Sequence, residues 1–291
     1  MGALVDISTD GIAKLAQIVG NWLGLEARAI ERNADAEAYA TVRKIDAENA
    51  ATLIRLQGEE QVANYMLARE KRKLNNVQNV IEQAQQHLVE GEQVSDEPVN
   101  SDWINRFFTI VEDVSDAEMQ QLWARILAGE VKKPKSYSLR TLEVLRNMSK
   151  EEAEQITKAS QYVLYGGIIC SEDFGINFDS QSFLDEMGLI CGEELIRTYT
   201  IHTDDYTHIV IDNNRVLRLF AQKEIKVKLR HYTLTKAGKE IFTLTEADKK
   251  QFIIDLANHF KKSNVYQVTL HDIVSWNGTE YSFKRDCTMI L

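Results

Sequence analysis

The densest group of side chains that could bind a metal ion lies in the short stretch IHTDDYTHI. Its members are two histidines and two aspartates, His202, Asp204, Asp205 and His208. Imidazole nitrogen and carboxylate oxygen are common ligands of zinc. The spacing H-x-D-D-x-x-H matches no defined metal site, and an Asp-Asp pair between two strands is ordinary turn chemistry. We therefore expect neither a metal nor another cofactor, and these four residues are the ones to test for a metal.

A second group of side chains could bind an anion. Lysines, an arginine and two serines stand in or beside the loop VKKPKSYS, directly before a predicted helix, LRTLEVLRNM. The free N–H groups and the dipole at a helix N-terminus both favour a negative charge. This pattern predicts a site for phosphate or another small anion, and the alternative is a loop clamped within the chain. The candidate residues are Lys132, Lys133, Lys135, Ser136, Ser138 and Arg140.

No set of catalytic residues emerges from the sequence. The other histidines have no acidic or nucleophilic partner near them in the chain, so no catalytic triad is predicted. Neither GxxxxGK[ST] nor GxGxxG occurs, which leaves nucleotide hydrolysis and dinucleotide binding without support. The sequence therefore favours a protein that is not an enzyme.

The composition is that of a folded protein from a reducing compartment. The chain has 291 residues, of which 44% are hydrophobic and 27% charged, which excludes wholesale disorder. Its formal net charge of -10 repels nucleic acid unless basic residues cluster, so nucleic acid is not an expected partner. Three cysteines make no disulfide framework, and neither a secretory signal nor a membrane-spanning apolar run is visible. We expect a cytoplasmic protein.

Residues 1–90 predict a long amphipathic helical arm. Both prolines, Pro98 and Pro134, lie beyond it, and its apolar residues are spaced by three, four, seven and eight positions. So narrow a seam needs a second helix, which favours a coiled coil between subunits. A hairpin that folds back near Gly58 is the alternative. The predicted oligomerisation seam comprises Leu53, Leu56, Met66, Leu74, Val77 and Ile81.

The start of this arm carries a wider apolar stripe, from Ile12 to Leu25. Trp22 among aliphatic residues would suit a membrane surface, and this makes a peripheral membrane-active effector an alternative function. Interfacial helices carry several cations on their polar face, however, and Lys14 is the only one before Arg28. Packing against another helix is the favoured interpretation.

A linker at residues 91–101 leads to a compact helical domain over residues 101–165. Two N-terminal capping boxes are predicted in it, one from Ser115 to Glu118 and one from Ser149 to Glu152. Gly129 is predicted to end the helix that follows Ser115. The aromatic residues of this domain are interpreted as its core.

Residues 166–291 predict an α+β domain that resembles a winged helix. The helix SQSFLDEMG, a β hairpin and the segment LTKAG follow one another as in that fold. The helix carries Asp185 and Glu186 but no cation, whereas helices that read DNA need cations. The predicted wing has Lys223, Lys226, Lys228 and Arg230, which keeps a nucleic-acid-binding winged helix among the alternatives.

Three segments together resemble a bacterial family of uncharacterised proteins that is distantly similar to the abortive-infection alpha type. The resemblance covers roughly residues 65–155. It implies a role in defence against phage but no transferable site residue. The segments are REKRKLNNVQNVIEQA, SDWINRFFTIVEDVSDAEMQQLWARILAGEV and KPKSYSLRTLEVLRNMSKEEA.

The sequence thus predicts a mostly α protein with a C-terminal α+β part. Its expected architecture is a coiled-coil-like arm, a central helical bundle and a winged-helix-like domain. Its expected function is that of a non-enzymatic oligomeric scaffold or sensor in bacterial antiphage defence. Its expected partners are further copies of itself and another protein.

Overall fold

The structure is a computed structural model that describes residues 7–23, 44–52, 60–88, 94–171, 173–203, 206–276, 281–284 and 288–289. The chain separates into two compact units, residues 1–147 (unit 1) and 148–291 (unit 2). This boundary lies before the one predicted at residues 165 and 166.

Unit 1 is helical wherever regular structure is described, as the helical spacing of its apolar residues predicts. Residues 44–52 are also helical. The named helices are α1 (Ile7–Leu23), α2 (Glu60–Gln86), α3 (Ser101–Val111), α4 (Ala117–Lys132) and α5 (Leu139–Arg146).

An aromatic cluster forms the core of unit 1 and confirms the core interpretation. Phe107 stacks on Trp103 with ring centroids 5.0 Å apart and meets Trp123 edge-on at 5.6 Å. Trp22 of α1 stacks on Phe108 at 4.2 Å. Aromatic pairs in these geometries contribute about 0.5 to 1.5 kcal/mol beyond the area they bury. The cluster therefore fixes α1 and α4 against α3.

The helix α2 packs against α3 and α4 and does not stand apart as an arm. Its apolar residues Leu74, Val77 and Ile81 are buried within unit 1. The predicted contact between subunits is therefore wrong for these three residues, because α3 and α4 already cover them. Met66 is exposed, and Leu53, Leu56 and the predicted turn near Gly58 lie outside the described residues. A coiled-coil arm is not confirmed.

The apolar stripe of α1 faces the unit's own helices. Leu15, Ile18 and Val19 are buried, and α1 packs against α3 and α4. The prediction that this stripe packs against another helix is therefore confirmed for these residues. Because they are buried, these side chains are not available to contact lipid, as the membrane alternative requires. Within the described ranges, no helix combines the length and the apolar character that crossing a membrane requires.

The helix caps show where local signals were correct and where they were not. Ser149 and Glu152 form the predicted capping box. At α4, Asp116 and not Ser115 is the cap, because its carboxylate accepts the N–H groups of Glu118 and Met119. Gly129 does not end α4. A Cβ at Gly129 would lie 2.8 Å from the Tyr137 ring, so the glycine permits the close approach of that ring.

Unit 2 is α+β with two antiparallel sheets. The first sheet has the strand order β1-β2-β6-β3; in the second the order is β4-β5-β7-β8, and β9 pairs with β7. The strands are β1 (Val163–Leu164), β2 (Ile168–Cys170), β3 (Leu195–Ile201), β4 (Tyr206–Val210), β5 (Arg215–Phe220), β6 (Ile225–Thr233), β7 (Gln267–Trp276), β8 (Tyr281–Phe283) and β9 (Thr288–Met289). The helices are α6 (Lys150–Ala159), α7 (Phe178–Glu186), α8 (Lys236–Phe242) and α9 (Lys250–Lys262), and a 3-10 turn spans Ser160–Tyr162.

The helix α9 supplies the centre of the unit 2 core. Its residues Phe252, Leu256 and Phe260 belong to one buried cluster with residues of both sheets. In β6, Val227 and Leu229 join this cluster, whereas Lys226 and Lys228 are exposed. The alternation of a half-buried strand thus sets which side chains of β6 remain outside.

The segments behind the winged-helix prediction are present, but that fold is not confirmed. The helix α7 is followed by a bridge between Ile190 and Leu234, and Thr235 caps α8. The strands β3 and β6 pair along their length, but β4 and β5 of the second sheet are inserted between them in the chain. The two strands of the predicted hairpin are therefore joined by a long connection that includes two strands of the second sheet.

Candidate functional site

Three loops of unit 2 converge on a cavity of about 680 Å³, here called the unit 2 cavity. They are the turn between β1 and β2, the turn between β4 and β5, and the connection between α8 and α9. Small-molecule sites have volumes of roughly 300 to 1,000 Å³. The cavity is therefore of a size to bind a small ligand.

The turn between β1 and β2 brings bare backbone to the cavity. Gly166 and Gly167 have positive φ angles of 90° and 77°, which glycine adopts without the strain that a Cβ would add. A Cβ at Gly167 would lie 2.2 Å from Cε of Lys239, so the lysine stem crosses directly over this glycine. Lys239 is thereby held at the wall of the cavity.

The turn between β4 and β5 supplies an arginine with its own carboxylate. The Arg215 guanidinium donates to Oδ2 of Asp212 from Nε at 3.0 Å and from Nη2 at 2.6 Å. Oδ1 of the same aspartate accepts the N–H of Asn214 at 3.0 Å, which fixes the turn. Arg215 is therefore positioned at the cavity, with much of its charge balanced by Asp212.

The connection between α8 and α9 ends in Lys249, whose side chain enters the cavity wall. Its Nζ donates to the carbonyl oxygen of Val163 in β1 at 2.5 Å. Burial lowers the pKa of the Lys249 ammonium; Asp212 opposes this shift and Arg215 adds to it. The acceptor of this hydrogen bond is neutral, and no carboxylate of the described residues forms an ion pair with Lys249.

The charges around the cavity favour an anion. Arg215, Lys239 and Lys249 line it, together with the acids Asp212 and Glu246. One cation is paired with Asp212, and Glu246 is exposed at the rim. A phosphate or carboxylate group beside Lys249 would supply the charge-assisted hydrogen bonds that half-buried cations favour.

A smaller cavity of about 260 Å³ lies on the other side of the same glycine turn. It is lined by Arg197, Tyr199 and His208 among others, and it shares Leu164, Tyr165 and Gly166 with the unit 2 cavity. Burial raises the pKa of the Tyr199 hydroxyl, with Arg197 acting in the opposite direction. The turn between β1 and β2 thus contributes to the lining of both cavities.

The anion loop predicted before α5 already holds an anion of the chain itself. The buried carboxylate of Glu130 accepts the backbone N–H of Lys135 at 2.6 Å and that of Tyr137 at 3.0 Å. Ser136 donates to the Lys133 carbonyl, and Ser138 caps α5. The structure contradicts the predicted anion site and matches the alternative, a loop clamped within the chain. The Glu130 carboxylate already accepts the N–H groups that a bound anion would otherwise accept.

The remaining cations of that loop are also engaged or exposed. Lys135 forms an ion pair with Glu97, and the side chains of Lys133 and Arg140 are exposed. The backbone carbonyl of Lys132 also accepts the N–H of Ser95. These contacts tie the segment after residue 94 to the loop.

The predicted metal candidates are not brought together as a cluster. His202 pairs with Glu224, from Nδ1 to Oε2 at 2.9 Å, at the exposed end of β3. The ring of His208 lies beside Tyr206 and Phe283, and Asp204 and Asp205 are outside the described residues. The described residues contain no group of three or more His, Cys, Asp or Glu side chains arranged to bind a metal.

The sequence did not single out the unit 2 cavity, because its residues come from positions 163 to 249. Two local signals point towards it in retrospect. Gly166-Gly167 and Asp212-Asn213-Asn214 are both turn sequences flanked by β-branched or apolar residues. Neither signal says that the two turns meet, or that Lys249 lies between them.

Comparison with known proteins gives one family and no closer relative. A family model with the description "Protein of unknown function (DUF2806)" matches residues 60–167 and 167–257, together more than half of the chain. No curated protein and no solved structure matches.

Proposed function

The chain belongs to the DUF2806 family, and we propose that it is a non-enzymatic sensor whose unit 2 cavity binds a small anionic ligand. The observation that carries this proposal is Lys249, a half-buried ammonium at the wall of a ligand-sized cavity. Its one direct hydrogen bond to the described chain is to the carbonyl of Val163.

The charge on Lys249 explains why the ligand should be an anion. Removing an ammonium from water is unfavourable unless an opposite charge compensates it. Arg215 adds repulsion, and Asp212 is occupied by that arginine. A phosphate or carboxylate group would offset both effects, so ligand binding and the ordering of the three loops would stabilise each other.

Inorganic phosphate is the simplest probe of this site. We expect phosphate to raise the thermal unfolding temperature of the protein above that in chloride at equal ionic strength, because a ligand that binds only the folded state stabilises it. The variant Lys249→Gln should lose this effect. The matched control, Lys236→Gln, removes an exposed lysine of α8 and should keep it. Equal responses in both variants would rule out the cavity as the binding site.

We further propose that unit 1 carries the scaffold function, through self-association of α2. Its first turns expose Val62, Tyr65 and Met66, which are 47%, 67% and 39% accessible. Their spacing of three and four residues places them on one side of the helix, as in a helix that pairs with a second copy. Met66 is the member of the predicted seam that the described part of unit 1 leaves exposed.

The size of the protein in solution tests this second proposal. Multi-angle light scattering should report an oligomer for the natural chain and a smaller species for Met66→Glu. The control Ile254→Glu introduces the same charge at a residue of α9 with a similar accessibility of 41% and should leave the size unchanged. A monomeric natural chain would end the proposal of self-association and leave the ligand proposal intact.

Bacterial antiphage defence in the cytoplasm is the setting that we propose for both activities. Its support is the sequence resemblance of residues 65–155 to a family distantly similar to the abortive-infection alpha type, a similarity that the match to the DUF2806 family does not confirm. A bacterial strain that carries the gene should form fewer phage plaques than the same strain carrying Lys249→Gln. Equal plaque numbers for the natural chain and a strain without the gene would remove this setting.

A further inference from the structure

A row of cations lies along one face of β6. Lys226, Lys228 and Arg230 alternate with the buried Val227 and Leu229, so the three cations share the face that points away from the unit 2 core. Residues two apart in a strand are roughly 6.6 to 6.8 Å apart. The row is therefore regularly spaced.

The neighbouring strand adds hydroxyl groups beside this row. The register pairs Thr200 with Lys226, Thr198 with Lys228 and Ile196 with Arg230. Within the described residues β3 is the edge of its sheet, and Ile196 and Thr198 are exposed. We call the surface formed by Lys226, Lys228, Arg230, Thr198 and Thr200 the β3–β6 ribbon.

The charge of the ribbon is opposite to that of the whole molecule. Neither Lys226 nor Lys228 forms an ion pair with another residue that the structure describes. Arg230 has Asp173 at 3.9 Å, and Glu224 beyond the row is engaged by His202. A chain with a net charge of -10 thus concentrates cations on one exposed strand face.

We propose that the β3–β6 ribbon binds the phosphate backbone of a nucleic acid without reading its bases. Lysine, arginine and threonine side chains are common donors to phosphate oxygens. A repeating polyanion fits a repeating row of cations better than a single anion does. An acidic peptide is the alternative ligand, but a peptide that adds to the β3 edge gains specificity from side-chain pockets. The ribbon is a row of polar side chains with the exposed Ile196 beside it.

Fluorescence anisotropy with labelled single-stranded and duplex DNA of one sequence tests the proposal. At low salt the intact protein should bind, and the affinity should fall with salt with a logarithmic slope of about -2 to -3, as expected for roughly three phosphate contacts. The lower dissociation constant of the two at the same salt concentration would identify whether duplex or single-stranded DNA is the better ligand.

Two triple variants of equal charge separate the ribbon from general electrostatics. Lys226→Gln, Lys228→Gln and Arg230→Gln together should weaken binding by at least about tenfold. Lys236→Gln, Lys250→Gln and Lys262→Gln together remove three exposed lysines elsewhere in unit 2 and should weaken it by less than about threefold. If the first variant does not melt cooperatively, the double variant Lys226→Gln and Lys228→Gln takes its place, with a loss of at least about fivefold expected.

Three results would overturn the proposal. They are no binding at the lowest salt, equal losses in the two triple variants, and displacement of the DNA by poly-glutamate at equal charge concentration. The last result would assign the ribbon to acidic proteins instead.

Discussion

Two cation-rich regions of this protein, the loop before α5 and the unit 2 cavity, differ in how the chain uses its own anions. The loop before α5 gathers lysines and serines, but the carboxylate of Glu130 lies inside it and accepts two of its backbone N–H groups. The unit 2 cavity also gathers cations, but Lys249 donates to a neutral carbonyl and faces open space of about 680 Å³. A cluster of cations is therefore a candidate site only where the chain does not supply the anion itself.

Of the changes that test this comparison, removal of Glu130 should have the largest effect on stability. Glu130→Ala leaves two part-buried N–H groups without their acceptor, and we expect the free energy of unfolding to fall by about 2 to 4 kcal/mol. Urea denaturation measures this loss. The control Glu143→Ala removes an exposed carboxylate paired with Arg106 at 3.4 Å and should change stability by less than about 1 kcal/mol.

The same variant can convert the closed loop into an open one. With Glu130 gone, the N–H groups of Lys135 and Tyr137 surround an empty position beside several cations. Phosphate should therefore stabilise Glu130→Ala more than it stabilises the natural chain, relative to chloride at equal ionic strength. If phosphate does not stabilise Glu130→Ala more than the natural chain, occupancy by Glu130 does not explain the difference between the loop before α5 and the unit 2 cavity.

Replacement of Lys249 by methionine tests the unit 2 cavity through the pH dependence of stability. Burial lowers the pKa of Lys249 in the folded state below its ordinary value of 10.5. Between these two pKa values the unfolded chain therefore binds more protons than the folded chain. The natural chain should therefore gain stability relative to Lys249→Met as the pH rises from neutral towards 10.5 and gain no more above that value. A flat difference between the two proteins across this range would show that Lys249 titrates like an exposed lysine.

The smallest expected effect concerns Asp212, the acid of the cavity that pairs with Arg215. Asp212→Asn keeps the shape of the side chain but frees the charge of Arg215, so phosphate should bind more tightly by about two- to fivefold. Isothermal titration measures the change. The control Asp272→Asn, in an exposed ion pair with Lys284, should leave the affinity unchanged. Weaker phosphate binding by Asp212→Asn would mean that Asp212 positions Arg215 for the ligand.

The elements of this fold were predictable where the signal lies within one or two helical turns. The capping box of Ser149 and Glu152, the helix LRTLEVLRNM and the alternation in β6 are all local patterns that the structure contains. Neighbouring caps compete, however, and Asp116 displaced Ser115 because two backbone N–H groups point to its carboxylate.

The partners of these elements were not predictable, because they depend on contacts between distant residues. The spacing of Leu74, Val77 and Ile81 correctly indicated that α2 needs another helix, but not that α3 and α4 of the same chain supply it. Glu130 lies in α4 and Tyr137 in the loop that follows this helix, yet nothing in their spacing indicates that the carboxylate accepts the loop's N–H groups. Lys249 and Val163 are 86 residues apart, and only the fold brings them together.

The indole N–H of Trp103 donates to the carbonyl of Tyr137 at 2.8 Å, and so it joins the aromatic core to the loop that Glu130 clamps. Three of the four tryptophans, Trp22, Trp103 and Trp123, belong to unit 1. Intrinsic tryptophan emission is consequently an optical reporter weighted towards this half of the chain, and an emission shift on loosening of the loop needs no attached dye.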